Sequence, residues 1–276
     1  RGSQGAVVLS VLGPLLVYLF TSLAFMLLYR FVPVLLLLLA AAATACCLSD
    51  SIASFGRGSV DRAYLLLACT IAVIVGSVCG SFNYFINSRD YFAYHDHWEY
   101  TNVSPTEPAA AHRDASALVF EQGASADAKL SIGYARGYHQ YCVAPIVLQS
   151  QEREAPTIEY WAVGNDCCGG AGFTCGDAGM AGTRSGLVVY NRSYVFHQFV
   201  TRDIDMYAQA TEMACAKFSL VCAQEPIYVR WTQDLPATRR EHLTRAWLTW
   251  LEAGVCFLPV CLLFGVGVPG LRRWTL

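Results

Sequence analysis

The sequence predicts an integral membrane protein: four transmembrane α-helices, with a disulfide-bonded α+β exoplasmic domain inserted between helices 3 and 4. Three observations lead there. Hydrophobic residues make up 55% of the 276-residue chain and charged residues only 14%, against about 25% charged in a typical soluble domain. The apolar residues gather in four stretches of spanning length. Six of the 12 cysteines fall in the single long polar segment. The composition excludes a disordered chain and a coiled coil, and a net charge of −2 offers no basic field to nucleic acid.

A spanning helix needs about 20 apolar residues. Ala6–Leu28 has 23, Phe31–Leu48 has 18 and Ala63–Ile86 has 24, all without charge; Ala246–Val268 has 23 with one acid, Glu252. The first stretch is too long for a signal-peptide core and lacks a following A-x-A-like site. The chain thus divides into residues 1–86 with three spans (about 6–28, 31–48 and 63–86), a domain over 87–245, and 246–276 with the fourth span and a short cytosolic tail.

Four spans put both termini on the side of the loop from Ser49 to Arg62. That side holds Arg1, Arg57, Arg62, Arg272 and Arg273, and the opposite short connection holds Arg30. The positive-inside rule therefore makes the termini cytosolic and the large domain exoplasmic or lumenal. The large segment carries 13 basic and 18 acidic residues. Two N-glycosylation sequons, at Asn102 and Asn191, lie within it.

Its cysteines, Cys142, Cys167, Cys168, Cys175, Cys215 and Cys222, read as a disulfide framework. Cys46, Cys47, Cys69, Cys79, Cys256 and Cys261 lie in the spans as small apolar residues, with Cys46 and Cys47 placed where S-palmitoylation could occur.

Inside the domain, the aromatic run Tyr91–Tyr100 suits a membrane interface and Thr101–Arg113 reads as loop. Strand patterns cover Ala128–Tyr134, Tyr138–Leu148, Ile158–Val163, Gly186–Tyr190 and Ile227–Trp231, with a hairpin turn at Ala135–Gly137. The glycine-rich stretch between Val163 and Gly186 needs cross-links to hold it.

Thr201–Gln224 reads as one helix, with Ile204, Ala208, Thr211, Cys215, Phe218 and Cys222 as its packed stripe. On such a helix Cys215 and Cys222 stand about 10.5 Å apart, beyond the roughly 7 Å a disulfide spans. Excluding that pair and the adjacent Cys167 and Cys168 leaves ten of the 15 connectivities open. The expectation is a helix stapled twice, to two of Cys142, Cys167, Cys168 and Cys175.

Other patterns carry weaker chemistry. Cys167-Cys168-x6-Cys175 lacks the paired spacing of structural zinc sites. His95, His97 and Glu99 would share one face of a strand and offer a metal-ligand set. Glu252 is the one acid in a span and so a candidate for a proton or ion role. No histidine falls in a span, which argues against haem held there. Nucleophile elbows, P-loops, HExxH and dinucleotide fingerprints are absent, and no cofactor is predicted. Gly13-Pro14, Pro33, Gly254, Pro259, Gly265 and Gly267 could kink or pack helices, and Ala40–Ala45 offers a small-residue face.

The stretches Tyr160-Trp-Ala-Val-Gly-Asn-Asp-Cys-Cys168, Phe173-Thr-Cys-Gly-Asp177 and Gly186-Leu-Val-Val189 resemble a pattern in uncharacterised membrane proteins predicted from dinoflagellate algae. The resemblance covers Tyr134 to Tyr190. It implies a protist source and a recurring cysteine-bonded exoplasmic module, and no catalytic residue.

Three functional readings stay open. The leading one is a non-catalytic membrane protein, an accessory or structural subunit of a larger hetero-oligomeric assembly, whose exoplasmic domain docks partners. Its partners are other membrane proteins and lipid, not nucleic acid. The alternatives are a transporter or channel component using Glu252, and an exoplasmic thiol or metal enzyme. The secretory pathway or cell surface fits the sequons and disulfides. A thylakoid or mitochondrial inner membrane fits the disulfides alone.

Overall fold

The structure, a computed structural model, describes residues 2–148, 157–170, 172–190 and 203–267. Asn191 and the tail 268–276 lie outside them. The chain divides into two compact units, one of Arg1–Tyr91 with Glu241–Leu276 and one of Phe92–Arg240.

Four helical stretches are long and apolar enough to cross a membrane: Val8–Leu28, Pro33–Gly56, Val60–Asp96 and Leu235–Gly265. They contain α1 (Gly2–Leu28), α2 (Pro33–Gly56), α3 (Val60–Asn83), a π-helical turn (Tyr84–Ser88), α4 (Arg89–Asp96) and α6 (Leu235–Leu262). Proline at the first position starts α2, where its missing N–H costs nothing. Gly58 then takes φ +76° and turns the chain into α3, which carries Asp61 in its first turn, favourable to the dipole.

The α1–α3 contact rests on two glycines four residues apart. A Cβ on Gly80 would stand 2.4 Å from the Ser22 carbonyl oxygen, and one on Gly76 3.0 Å from that of Tyr18. This is the small-xxx-small packing of apolar helices, a pattern our sequence reading did not pick out.

Polar side chains add hydrogen bonds inside this unit. Asn83 Nδ2 donates to the Ala246 carbonyl at 2.8 Å, and Asn87 Nδ2 donates to Asn83 Oδ1 at 2.8 Å. Trp250 Nε1 donates to Ser22 Oγ at 3.0 Å. The π turn after Asn83 shifts the helical phase so that Asn87 is buried beside it. Tyr18 stacks on Phe257 with ring centroids 4.3 Å apart.

The second unit is built on a mixed sheet. Its strands are β1 (Trp98–Val103), β2 (Ala115–Phe120), β3 (Ala124–Ala126), β4 (Ile132–Arg136), β5 (His139–Leu148), β6 (Ile158–Asn165), β9 (Ser185–Val188) and β10 (Cys222–Trp231). A separate ribbon pairs β7 (Cys168–Gly169) with β8 (Gly172–Phe173). The order is β1-β2-β9-β10-β6-β5-β3, and β4 also pairs with β5. The β1–β2 and β10–β6 pairs are parallel, the others antiparallel. The β4–β5 hairpin turns at Gly137, φ +65°, with Arg136 opposite His139, one residue beyond the expected turn.

Period-two alternation buries both faces. Cys142, Ala144 and Ile146 of β5, Tyr160 and Ala162 of β6, and Val229 and Trp231 of β10 enter one core with Leu118 and Phe120. Tyr141, Val143, Trp161, Val163 and Tyr228 enter the other, covered by α5 (Asp203–Phe218) through Met206, Tyr207, Ala210 and Ala214.

Three expectations are corrected here. The helix does not run to Gln224: it stops at Phe218, Ser219 adopts φ +53°, and the Leu220 N–H donates to the Cys215 carbonyl at 3.0 Å. This left-handed cap turns Cys222 into β10, so Cys215 and Cys222 bond to each other with Cα atoms 6.3 Å apart. The 10.5 Å estimate failed because it assumed an unbroken helix. Nor is α5 stapled to the other cysteines, which pair as Cys142–Cys168 and Cys167–Cys175. Cys142 points into the core on the opposite face of the sheet from α5. The buried stripe of α5 is also rotated, centred on Tyr207, Ala210, Thr211 and Ala214 rather than on Ala208, Thr211 and Cys215. Non-reducing peptide mapping of the intact protein is expected to return these three pairs; a Cys215 peptide joined to any of the other four cysteines would contradict the fold.

Candidate functional site

The glycine-rich stretch after β6 folds over the face opposite α5, and the two disulfides explain why it can. Gly133 of β4 and Gly164 of β6 leave room for sulfur. A Cβ would stand 2.6 Å from Cys168 Sγ at the first and 2.8 Å from Cys167 Sγ at the second. The Thr174 N–H donates to the Cys167 carbonyl at 2.9 Å, closing the small loop. Beyond it, Asp177 Oδ2 accepts from Thr232 Oγ1 at 3.1 Å and from the Gln233 N–H at 2.8 Å. The following residues therefore hang from two fixed points, the Cys167–Cys175 bond and the end of β10.

Those residues wall a cleft of about 570 Å³, within the range of ligand sites. On one side lie Gln122 and β3, and on the other Ala178 to Arg184, with Trp231 also lining it. A second depression of about 290 Å³ is lined by Glu99, Val119, Gln233 and Leu235, and it shares Gly182 and Arg184 with the first. The two adjoin at Gly182 and Arg184, a trough in two parts. Arg184 Nη1 donates to the Phe120 carbonyl at 3.1 Å. Its other N–H groups have no partner among the described residues. Thr183 beside it is 5% exposed, with a hydroxyl lacking a partner among the described residues. Glu99 is already engaged by Arg239 at 2.9 Å.

A buried histidine lies elsewhere in the same unit. His112 Nδ1 is 2.9 Å from the Tyr160 hydroxyl, and His112 Nε2 is 3.6 Å from Glu107. Burial first, then the Glu107 and Glu159 carboxylates, hold the Tyr160 hydroxyl above its ordinary value. It therefore stays protonated and shares a hydrogen bond with Nδ1. Tyr160 is fully buried, so this chain of groups tethers the 3₁₀ turn Ala109–His112 to β6. On the surface, the hydrogen bond from His139, then the Gln140 N–H, holds the Asp166 carboxyl below the usual carboxylate range.

The proposed metal set is not assembled. His95 lies on α4, His97 follows it with Nδ1 at 2.8 Å from the Ala93 carbonyl, and Glu99 lies on β1 paired with Arg239. The change from helix to strand within five residues removes the shared face. The Sγ atoms of Cys142, Cys167 and Cys175 lie within 4.8 Å of one another, but all are consumed by disulfides, which lack a thiolate to offer a metal. Glu252 is exposed on α6. Asn102 is exposed on β1 with φ +59°.

Neither models of known families, nor curated proteins, nor solved structures match this chain.

Proposed function

We propose that this chain is a membrane-anchored docking protein, an accessory subunit of a larger membrane assembly, with its sheet domain on the exoplasmic or lumenal side. The trough at Arg184 carries the reading: it is a concave surface whose wall is held between the Cys167–Cys175 bond and the end of β10, and the Thr183 hydroxyl and the remaining Arg184 N–H groups have no partner among the described residues. Helix α2 adds support in the membrane. Leu36 is its one buried residue before Ser51, and Ala41, Ala42 and Ala45 are exposed on one side of it, a small-residue face suited to another helix. Three disulfides fit an oxidising compartment, and the exposed Asn102 is placed to accept a glycan. Glu252 is exposed on α6 rather than enclosed, which adds nothing to the transporter reading.

Two measurements test this. Native membranes extracted in mild detergent are expected to yield the chain in a particle of fixed composition, well above its 30.2 kDa plus detergent. A particle of this chain alone would overturn the subunit reading. The protein from those membranes is also expected to gain mobility on removal of N-glycans, and Asn102→Gln to abolish the Asn102 glycan site. Cytosolic labelling of the sheet domain would overturn the orientation.

A further inference from the structure

We propose that the trough binds an extended segment of a partner polypeptide, with an internal Asp or Glu side chain paired to Arg184. The inference rests on the docking reading and names its chemistry.

Three features of the site select this occupant. The first is the charge of Arg184. Arg184 is half-buried, and its guanidinium spends one nitrogen on the Phe120 carbonyl and keeps its remaining donors. The trough's own carboxylates are committed: Glu99 to Arg239, and the adjacent Asp177 to Thr232 and Gln233. A guanidinium presents donors in a fork that matches a carboxylate, so an incoming carboxylate completes it where the domain's own acids do not.

The second feature is the strand beside it. β3 is the end of the sheet path, so its outer edge has no strand partner among the described residues. An extended chain can add there through its backbone. Ala124, Ala126, Ala178 and Ala181 line the cleft, and such small side chains let a second backbone come close.

The third feature is position. Arg184 lines both depressions, so there is open space on two sides of it. A chain end would use one half, whereas a segment passing through uses both. The geometry therefore selects a side-chain carboxylate over a C-terminal one.

The test uses the full chain in lipid nanodiscs and a degenerate nonapeptide library. The library is displayed in two formats, between fixed flanks and with a free C-terminus. Selection is expected to enrich flanked peptides carrying one internal Asp or Glu among β-forming residues. Their affinity should fall about tenfold or more in Arg184→Gln, a change of about 1.4 kcal/mol, and less in Arg184→Lys. Added salt should weaken binding. Gly179→Leu supplies an independent block: Gly179 lines the cleft, a Cβ there meets nothing within 4 Å, and its φ is not positive. The leucine side chain fills the trough while the fold is kept, as checked by disulfide mapping, and binding should be lost.

No enrichment would overturn the proposal, as would binders that need a free C-terminus or that bind Gly179→Leu and Arg184→Gln as well as the wild type. The outcomes are separable from the subunit reading. A native particle whose composition survives Gly179→Leu keeps the subunit but places its contact elsewhere, and the trough proposal falls. Selected acidic peptides with a chain that purifies alone keep the trough and remove the stable assembly.

Discussion

Gly80→Leu is expected to unseat α1 from α3 and to remove most of the protein recovered as a single species from mild detergent. The Cβ alone would meet the Ser22 carbonyl oxygen at 2.4 Å, the Phe25 Cβ at 2.8 Å and the Ser22 Cα at 2.9 Å. Two of these are backbone atoms, which cannot rotate aside, so the helices must separate. Overpacking in a well-packed core costs about 1–3 kcal/mol and sometimes more, and a leucine adds three further carbons at the same place. The separation also reaches the polar contacts, because Ser22 accepts the Trp250 N–H and Asn83 Nδ2 lies 3.2 Å from Met26 Sδ. Gly76→Leu should do less, since its nearest atom is at 3.0 Å. Gly56→Ala, whose Cβ meets nothing within 4 Å, should match the wild type. Thermal unfolding and size-exclusion profiles of the four proteins check the order. A Gly80→Leu protein as stable as Gly56→Ala would show that α1 and α3 do not meet through these glycines.

That contact shows where sequence reading reaches and where it stops. The four apolar stretches announce themselves because lipid-facing and buried positions alike must be apolar. Which face of each helix meets another is written in a few small residues, and Gly76 and Gly80 sit inside a run that already reads as a span. The strands of the sheet domain were legible where alternation is strict, as in β5, β6 and β10. The alternation also held the answer to the disulfides. Tyr141 and Val143 face α5, so Cys142 between them faces away, and no bond can pass through a sheet. The assumed straight helix to Gln224 obscured this, because Ser219 carries no glycine-like mark of a left-handed cap. β1 and β2 were missed: Thr101–Arg113 reads as loop from its prolines, and β1 is mostly exposed. The trough was illegible for another reason. Residues 122–126, 178–184 and Trp231 share no spacing, and a disulfide-held loop brings them together only after folding.

Removing Cys142–Cys168 as an alanine pair is expected to cost more stability than removing either of the other bonds. The bond closes a separation of 26 residues, whereas Cys167–Cys175 closes 8 and Cys215–Cys222 closes 7. On chain-entropy grounds these correspond to about 3.5, 2.5 and 2.4 kcal/mol. For a domain of this size, 1 kcal/mol moves the midpoint by roughly 2–4 °C, so the first variant should unfold about 7–14 °C lower. The two short-loop variants should lie close together, and that near-equality makes them informative about the site. Cys167–Cys175 anchors the wall of the trough from the loop side, whereas Cys215–Cys222 clips α5 to β10 on the opposite face of the sheet. Removing the first should weaken partner or peptide capture beyond what the loss of stability explains. Removing the second, at nearly the same cost in stability, should leave capture unchanged at temperatures where both variants are folded. Equal losses of capture would mean that the trough is no more than a dent in a stable domain, and that partners meet this protein through another surface.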